Sequence, residues 1–109
     1  ISVAAHLEAP VVIQFMVRDS LAAEADLAQH LSNLQAGPKP EGALLFSCLG
    51  RGRGFFGAPN HDSDLLRQQI GNVPVGGFFS NGEIGPLSGK TFVHSYTSAF
   101  GLFRRRAAT

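Results

Sequence analysis

A short apolar run that breaks into a glycine-arginine loop sets the limits on this chain. Ala43, Leu44, Leu45 and Phe46 have no polar interruption, and turn residues bound them on both sides. Such a run is a buried strand. After Ser47, Cys48, Leu49 and Gly50 the chemistry changes to Arg51-Gly52-Arg53-Gly54. Glycine lets the backbone turn with positive φ and lets a ligand approach the main chain. In open α/β sheets ligands collect beyond the carboxyl ends of strands. A hydroxyl (Ser47), a thiol (Cys48), two guanidinium groups (Arg51, Arg53) and Gly52 at a strand end are therefore a candidate site. The alternative is a solvated surface loop.

The remaining elements follow from periodicity and breakers. Ile1 to Leu7 and Val11 to Arg18 are expected strands joined by Glu8-Ala9-Pro10. The second is apolar almost throughout, as a central strand would be. Asp19 and Ser20 are helix N-cap residues. Leu21, Ala25, Ala28, Leu31 and Leu34 then recur at helical spacing until Gly37-Pro38-Lys39-Pro40 stops the helix. A short helix capped by Asp62 or Ser63 runs to Ile70 and closes at Gly71; the adjacent His61 and Asp62 could serve a site or, equally, be only the cap and its neighbour. Val73 to Ser80 is a strand with paired glycines, the mark of a bulge or a close backbone neighbour. Asn81-Gly82 makes a tight turn that presents Glu83. Thr91 to Phe103 is expected as one long strand pairing antiparallel with its predecessor, and residues 104–109 as a solvated tail. The order is β-β-α-β-α-β-β. It gives an α+β (or α/β) fold, a mixed sheet with helices packed on one face, as a single domain over residues 1–109.

Composition narrows the function classes. The 109 residues are 44% hydrophobic and 16% charged, the balance of a folded domain rather than a disordered one. A net charge of +1 and a basic run confined to Arg104–Arg106 argue against nucleic acid as a partner. No apolar run reaches the ~18 residues of a membrane span. One cysteine excludes an internal disulfide and a cysteine-rich zinc site, and a free thiol fits a reducing cytoplasm. His6, His30, His61 and His94 share no metal-binding spacing. No cofactor motif is present: Gly50-Arg51-Gly52-Arg53-Gly54 lacks the Gly-Lys-Ser/Thr ending of a P-loop.

Three functions stay open on the residues. Arg51 is suited to a carboxylate or other small anion. Glu83, framed by Gly82 and Gly85, is suited to an ammonium group, with hydrogen bonds from Ser47 and His94. Together they would hold a zwitterion such as an amino acid. A second reading is an interaction module that docks another domain or a second copy through a sheet edge or Phe55-Phe56, giving a homodimer. A third is a hydrolase or transferase using Cys48, His94 and Glu83; the small buried hydrophobe is the commoner role of a lone cysteine.

Gly42-Ala43-Leu44-Leu45-Phe46-Ser47-Cys48, Gly50-Arg51-Gly52, Phe56-Gly57, Pro74, Gly77-Phe78-Phe79, Gly82-Glu83-Ile84-Gly85-Pro86, Phe92-His94 and Tyr96-Thr97 together resemble the C-terminal half of the FIST domain. Val17-Arg18-Asp19 and Asp26-Leu27 match as well, so the resemblance covers nearly the whole chain. It implies a non-enzymatic sensory domain of bacterial signal transduction, also joined to F-box segments in eukaryotes, that binds small ligands such as amino acids. On that resemblance we expect the C-terminal half of a longer cytoplasmic protein, with an N-terminal FIST half or signalling domains as partners. The resemblance assigns no ligand residues. Ser47, Cys48, Arg51, Gly52, Arg53, Gly82, Glu83, Gly85 and His94 are candidates on their chemistry alone.

Overall fold

The computed structural model describes residues 2–108. Strand β1 (Gly42–Cys48) is the middle of a three-stranded sheet in the order β2-β1-β5. It pairs parallel with β2 (Val75–Ser80) and antiparallel with β5 (Ser98–Phe103). The apolar run beginning at Ala43 is thus central, as its composition requires. A separate hairpin, β3 (Glu83–Leu87) with β4 (Lys90–His94), stands beside the sheet. The result is an α+β fold with a mixed sheet.

Two helices cover one face. Helix α1 (Ser20–Ser32) starts where Asp19 caps it: the Oδ1 of Asp19 accepts the Ala22 amide hydrogen at 2.7 Å. A tight turn over Asn33–Ala36 continues it toward Gly37. Helix α2 is a single turn, Arg53–Phe56. Helix α3 (His61–Ile70) follows and ends at Gly71, which adopts φ 86°. It crosses from β1 to β2. Leu27, Leu31, Ala43, Leu66, Ile70 and Val73 form the core between α1, α3 and β1. Burying each large side chain contributes roughly 1.5–3 kcal/mol. The buried stripe of α1 is Leu27 and Leu31, continued by Leu34; Leu21 is 76% exposed. The helix is therefore rotated from the expected face, because Leu27 joins the stripe and Leu21 does not.

The first two expected strands are not formed. Residues 2–18 make no ladder, and Val12, Phe15, Met16 and Val17 are largely exposed. Ile1, the start of the first of them, lies outside the described residues. A strand needs a neighbour for its amides as well as apolar side chains, and no strand lies beside this segment. The order over the described residues is α1-β1-α2-α3-β2-β3-β4-β5.

The long final strand is two strands. Tyr96 adopts φ 60°, which breaks β4 from β5 and sends them to different sheets. Hence β2 and β5 do not pair with each other; each takes one side of β1. In the tail, the Arg104 guanidinium donates to the Leu34 carbonyl at 3.1 Å and Arg105 pairs with Glu41 at 3.0 Å. Thr109 lies outside the described residues.

The paired glycines mark a close approach, as their place within a strand suggested. Gly77 has φ 147°, and a Cβ there would sit 1.8 Å from the Leu45 carbonyl oxygen. A Cβ on Gly76 would meet Leu44 Cδ2 at an ordinary 3.5 Å. In urea unfolding, Gly77→Ala should lose roughly 3 kcal/mol or more, from strain and a broken β1-β2 ladder. Gly76→Ala should change stability by less than about 1 kcal/mol. Equal costs would mean that the backbone contact at Gly77 is not what fixes this pair.

Candidate functional site

The strongest polar constellation centres on a carboxylate that the sequence did not single out as a hub. Asp62, in the first turn of α3, is 5% exposed. Arg51 grips it with both forks: Nε donates to Oδ2 at 2.8 Å and Nη2 to Oδ1 at 2.9 Å. Ser47 Oγ donates to Oδ2 at 3.0 Å, and Ser98 Oγ donates to the same oxygen. Ser47 and Ser98 are cross-strand partners on β1 and β5, with their hydroxyl oxygens 2.9 Å apart. His61 Nδ1 lies 2.9 Å from Oδ1. The carboxylate is ionised and has only lone pairs to offer, so His61 is the donor there.

The sequence explains this convergence. β1 alternates, so Ala43, Leu45 and Ser47 face the helices while Leu44 and Phe46 face away. The turn over Leu49–Arg51 brings Arg51 back over the strand end. Asn60, with φ 61°, starts α3 and places Asp62 inward. Phe56 stacks on His61 at 3.5 Å between centroids, 3° from parallel, and holds the imidazole in place.

Burial alone would raise the Asp62 pKa. Hydrogen bonds from Arg51, Ser98 and His61, with the charge of Arg51, overcome it and lower the value from 3.8 to about 2.

Two hollows flank this cluster. A cleft of about 280 Å³ lies between β2 and the start of α3, lined by Ser47, Arg51, Gly52, Asn60, Ser63, Arg67 and Phe79 among others. A groove of about 720 Å³ runs between α1 and the β3-β4 hairpin along β5. Arg51 lines both. Its Nη1 makes no hydrogen bond among the described residues. No side-chain nitrogen or oxygen among them is both sealed from solvent and unpartnered. Nη1 therefore opens onto accessible space.

The expected site residues divide. Ser47, Arg51 and Gly52 share the cleft; Arg51, Gly85 and His94 share the groove. Glu83, Cys48, Arg53 and Gly82 line neither. Glu83 is 2% exposed, and its carboxylate accepts from Ser80 Oγ (2.9 Å), Thr97 Oγ1 (3.0 Å) and the Gly82 amide (3.3 Å). It thus pins the hairpin to the ends of β2 and β5. His94 Nε2 donates to the Gly85 carbonyl at 3.0 Å. Cys48 is 6% exposed, and its sulfur accepts from the Gly50 amide at 3.4 Å. No side-chain hydrogen bond links Cys48, His94 and Glu83 to one another among the described residues. Ser98, Asn60 and Arg67 are the site residues that sequence reasoning missed; for Asp62, beside His61, it supports a site residue and a helix cap equally, and not the hub. The available signal was an acid in the first turn of a helix that follows an arginine-bearing strand end.

These features define an α+β domain with a ligand-sized cleft at the carboxyl half of two parallel strands, held by one buried ion pair. The chain belongs to the FIST C domain family, whose profile matches residues 1–86. An uncharacterized protein of Mycobacterium tuberculosis is 42% identical over 100 residues, covering 89% of this chain and 26% of that relative. An F-box/LRR-repeat protein of Arabidopsis thaliana is 35% identical over 80% of this chain and 20% of its own length. Human F-box only protein 22 is 37% identical over 71% of this chain and 19% of its own length. The chain thus spans about a quarter or less of the curated relatives it matches. Family membership suggests a sensory domain of signal transduction. No helix among the described residues is long and apolar enough to cross a membrane.

The Asp62 cluster has a pH signature. Its folded pKa lies below the ordinary value, so its stabilisation is present above pH 3.8 and is lost as the pH falls through about 2. The difference amounts to roughly 2 kcal/mol. Urea unfolding followed from pH 5 to pH 2 should show that loss. Asp62→Asn should lack this component and, by leaving Arg51 buried and unpaired, should be less stable at pH 7 by roughly 3–5 kcal/mol. An unchanged acid limb in the variant would assign the effect elsewhere.

Proposed function

We propose that this domain is a small-molecule-binding sensory module, with the 280 Å³ cleft as its site and a small carboxylate as its ligand. The observation that carries the reading is the state of Arg51. Asp62 occupies its Nε and Nη2 donors and fixes its plane, while Nη1 keeps unused donors on accessible space. A guanidinium positioned in advance loses little freedom when it meets an anion. Arg67 lines the same cleft with its side chain 46% exposed. The first turn of α3 adds backbone amides, which favour anions.

The cleft's volume is near the lower end for ligand pockets, which suits an amino acid or a short organic acid. Leu45, Val75 and Phe79 supply an apolar wall for its body. Glu83 is already engaged and is not the group that would meet an ammonium. Within the cleft, the Asn60 side-chain oxygen supplies an acceptor instead. The bacterial relatives and the F-box proteins are consistent with one binding module reused in different chains, and that extension is part of the proposal.

A second reading rests on the uncovered sheet face. Leu44, Phe78 and Phe103 point away from the helices and are 37%, 65% and 57% exposed. That face fits a docking role in an assembly, with a second copy as the simplest partner to test by ultracentrifugation.

Calorimetric titration of amino acids and of the matching carboxylates without the amine tests the ligand class. Arg67→Ala is the clean variant, because among the described residues the Arg67 guanidinium pairs only with Asp64, on the surface, and its loss costs about 1 kcal/mol of stability or less. Binding should weaken about tenfold, with the fold unchanged by circular dichroism. Identical isotherms for parent and variant would remove the cleft from the proposal.

A further inference from the structure

The groove between α1 and the hairpin and the unpaired segment Val11–Val17 match each other in shape and chemistry. β5 has one hydrogen-bonded neighbour, β1, so its other edge is free among the described residues. Ser98, Ala99, Phe100 and Leu102 of that strand line the groove. Leu27 and Leu31 of α1 form one wall, and Ile84 and Leu87 of the hairpin form the other. This is a trough with an open strand edge along its floor and apolar side chains on both flanks. Its shape and chemistry fit an extended apolar strand added to an exposed sheet edge.

The segment that meets this description is tethered at the groove's mouth. Arg18 lies 3.9 Å from the ring centroid of Tyr96 and 4.4 Å from that of Phe55, and it donates to the Gly50 carbonyl at 2.5 Å. Tyr96 itself lines the groove, just before β5. Immediately upstream of that clamp stands Val-Val-Ile-Gln-Phe-Met-Val, with Val12 99% exposed and Val17 91% exposed. Seven extended residues span about 23 Å, close to the roughly 20 Å of a six-residue strand. Both faces of the segment are apolar, as a strand covered on both sides needs, and the trough has a wall for each face. The direction is fixed too. Residue 18 is held near the start of β5, so a segment running toward it along β5 is antiparallel to β5 and parallel to β1.

We propose that Val11–Val17 closes into this groove within the same chain, as a fourth strand on the free edge of β5. The structure described above is then the open form. Closure pairs the edge amides, buries the exposed valines and Phe15, and places α1 as the crossover between the added strand and β1.

Amide hydrogen exchange on the 109-residue chain tests this. Closure predicts alternate protected amides in Val11–Val17, exchanging roughly a hundredfold slower than Ala107 and Ala108, together with protection of the β5 amides that β1 leaves free. Phe15→Pro removes one donor and the strand geometry at a side chain 78% exposed in the open form, so α1 and the core stay intact. Protection of both segments should vanish in this variant while circular dichroism keeps the α1 signal. Fast exchange throughout Val11–Val17 in the parent, or protection that survives Phe15→Pro, overturns the proposal. So does protection that disappears on dilution together with a dimer in ultracentrifugation, because the strand is then exchanged between copies.

Discussion

One carboxylate holds the site end of this fold together. Asp62 connects α3 to Arg51 beyond β1, to Ser47 on β1 and to Ser98 on β5. Taking it from water is costly, and a buried ion pair on its own often does no better than an apolar pair of the same shape. Here the geometry improves that balance. Both guanidinium donors are in line, and hydroxyl and imidazole donors meet the remaining lone pairs. The two serines bring one hydrogen each to three short contacts. At any instant, therefore, two of the three carry a hydrogen, and the third is a packing contact between oxygens. Removing either end of the pair leaves a bare charge, and that asymmetry makes the position intolerant of change.

Glu83 solves the same problem without a cation. Its carboxylate is as deeply buried, yet its partners are Ser80, Thr97 and one backbone amide. The donors come from the end of β2, the turn and the segment leading into β5. The result is a hinge-pin joining the hairpin to the sheet. Two buried acids, one paired with arginine and one with hydroxyls, thus fasten different elements at the same end of the sheet. The formal opposition of Arg51 and Glu83 in the sequence suggested a zwitterion between them. In the fold each has found an internal partner, and only Arg51 keeps donors in reserve.

Much of this was legible because the signals were local. Asp19 marks the start of α1, Gly71 ends α3, the apolar run at Ala43–Phe46 is the central strand, and Gly77 marks a backbone contact. Each depends on its own φ/ψ or on its nearest neighbours. Apart from the rotated face of α1, the failures concern which distant residues meet. Val11–Val17 has strand composition, but a ladder depends on which edge is within reach. Thr91–Phe103 alternates without interruption; only Tyr96 in the left-handed region divides it, and tyrosine carries no sequence mark for that conformation. Asp62 looked like a cap because acids near helix starts commonly are. Its role as hub follows from Arg51, Ser47 and Ser98, distant in sequence and brought together only by the register of β1 with β5.

On the proposed reading, the same pairing limits what the cleft would recognise. Arg51 and Asp62 cancel as charges, so the cleft does not draw anions by net positive charge. Long-range attraction falls to Arg67, which is itself paired with Asp64 and screened by solvent. What Arg51 contributes is direction: a donor pair on Nη1 whose plane is set by the grip on its other edge. A ligand held in this way is selected by where its oxygens lie relative to the apolar wall of Val75 and Phe79, more than by its charge. If the cleft binds as proposed, such a site would favour modest affinity and sharp discrimination between carboxylates of similar size, as a module that registers one small molecule among many and releases it again would need.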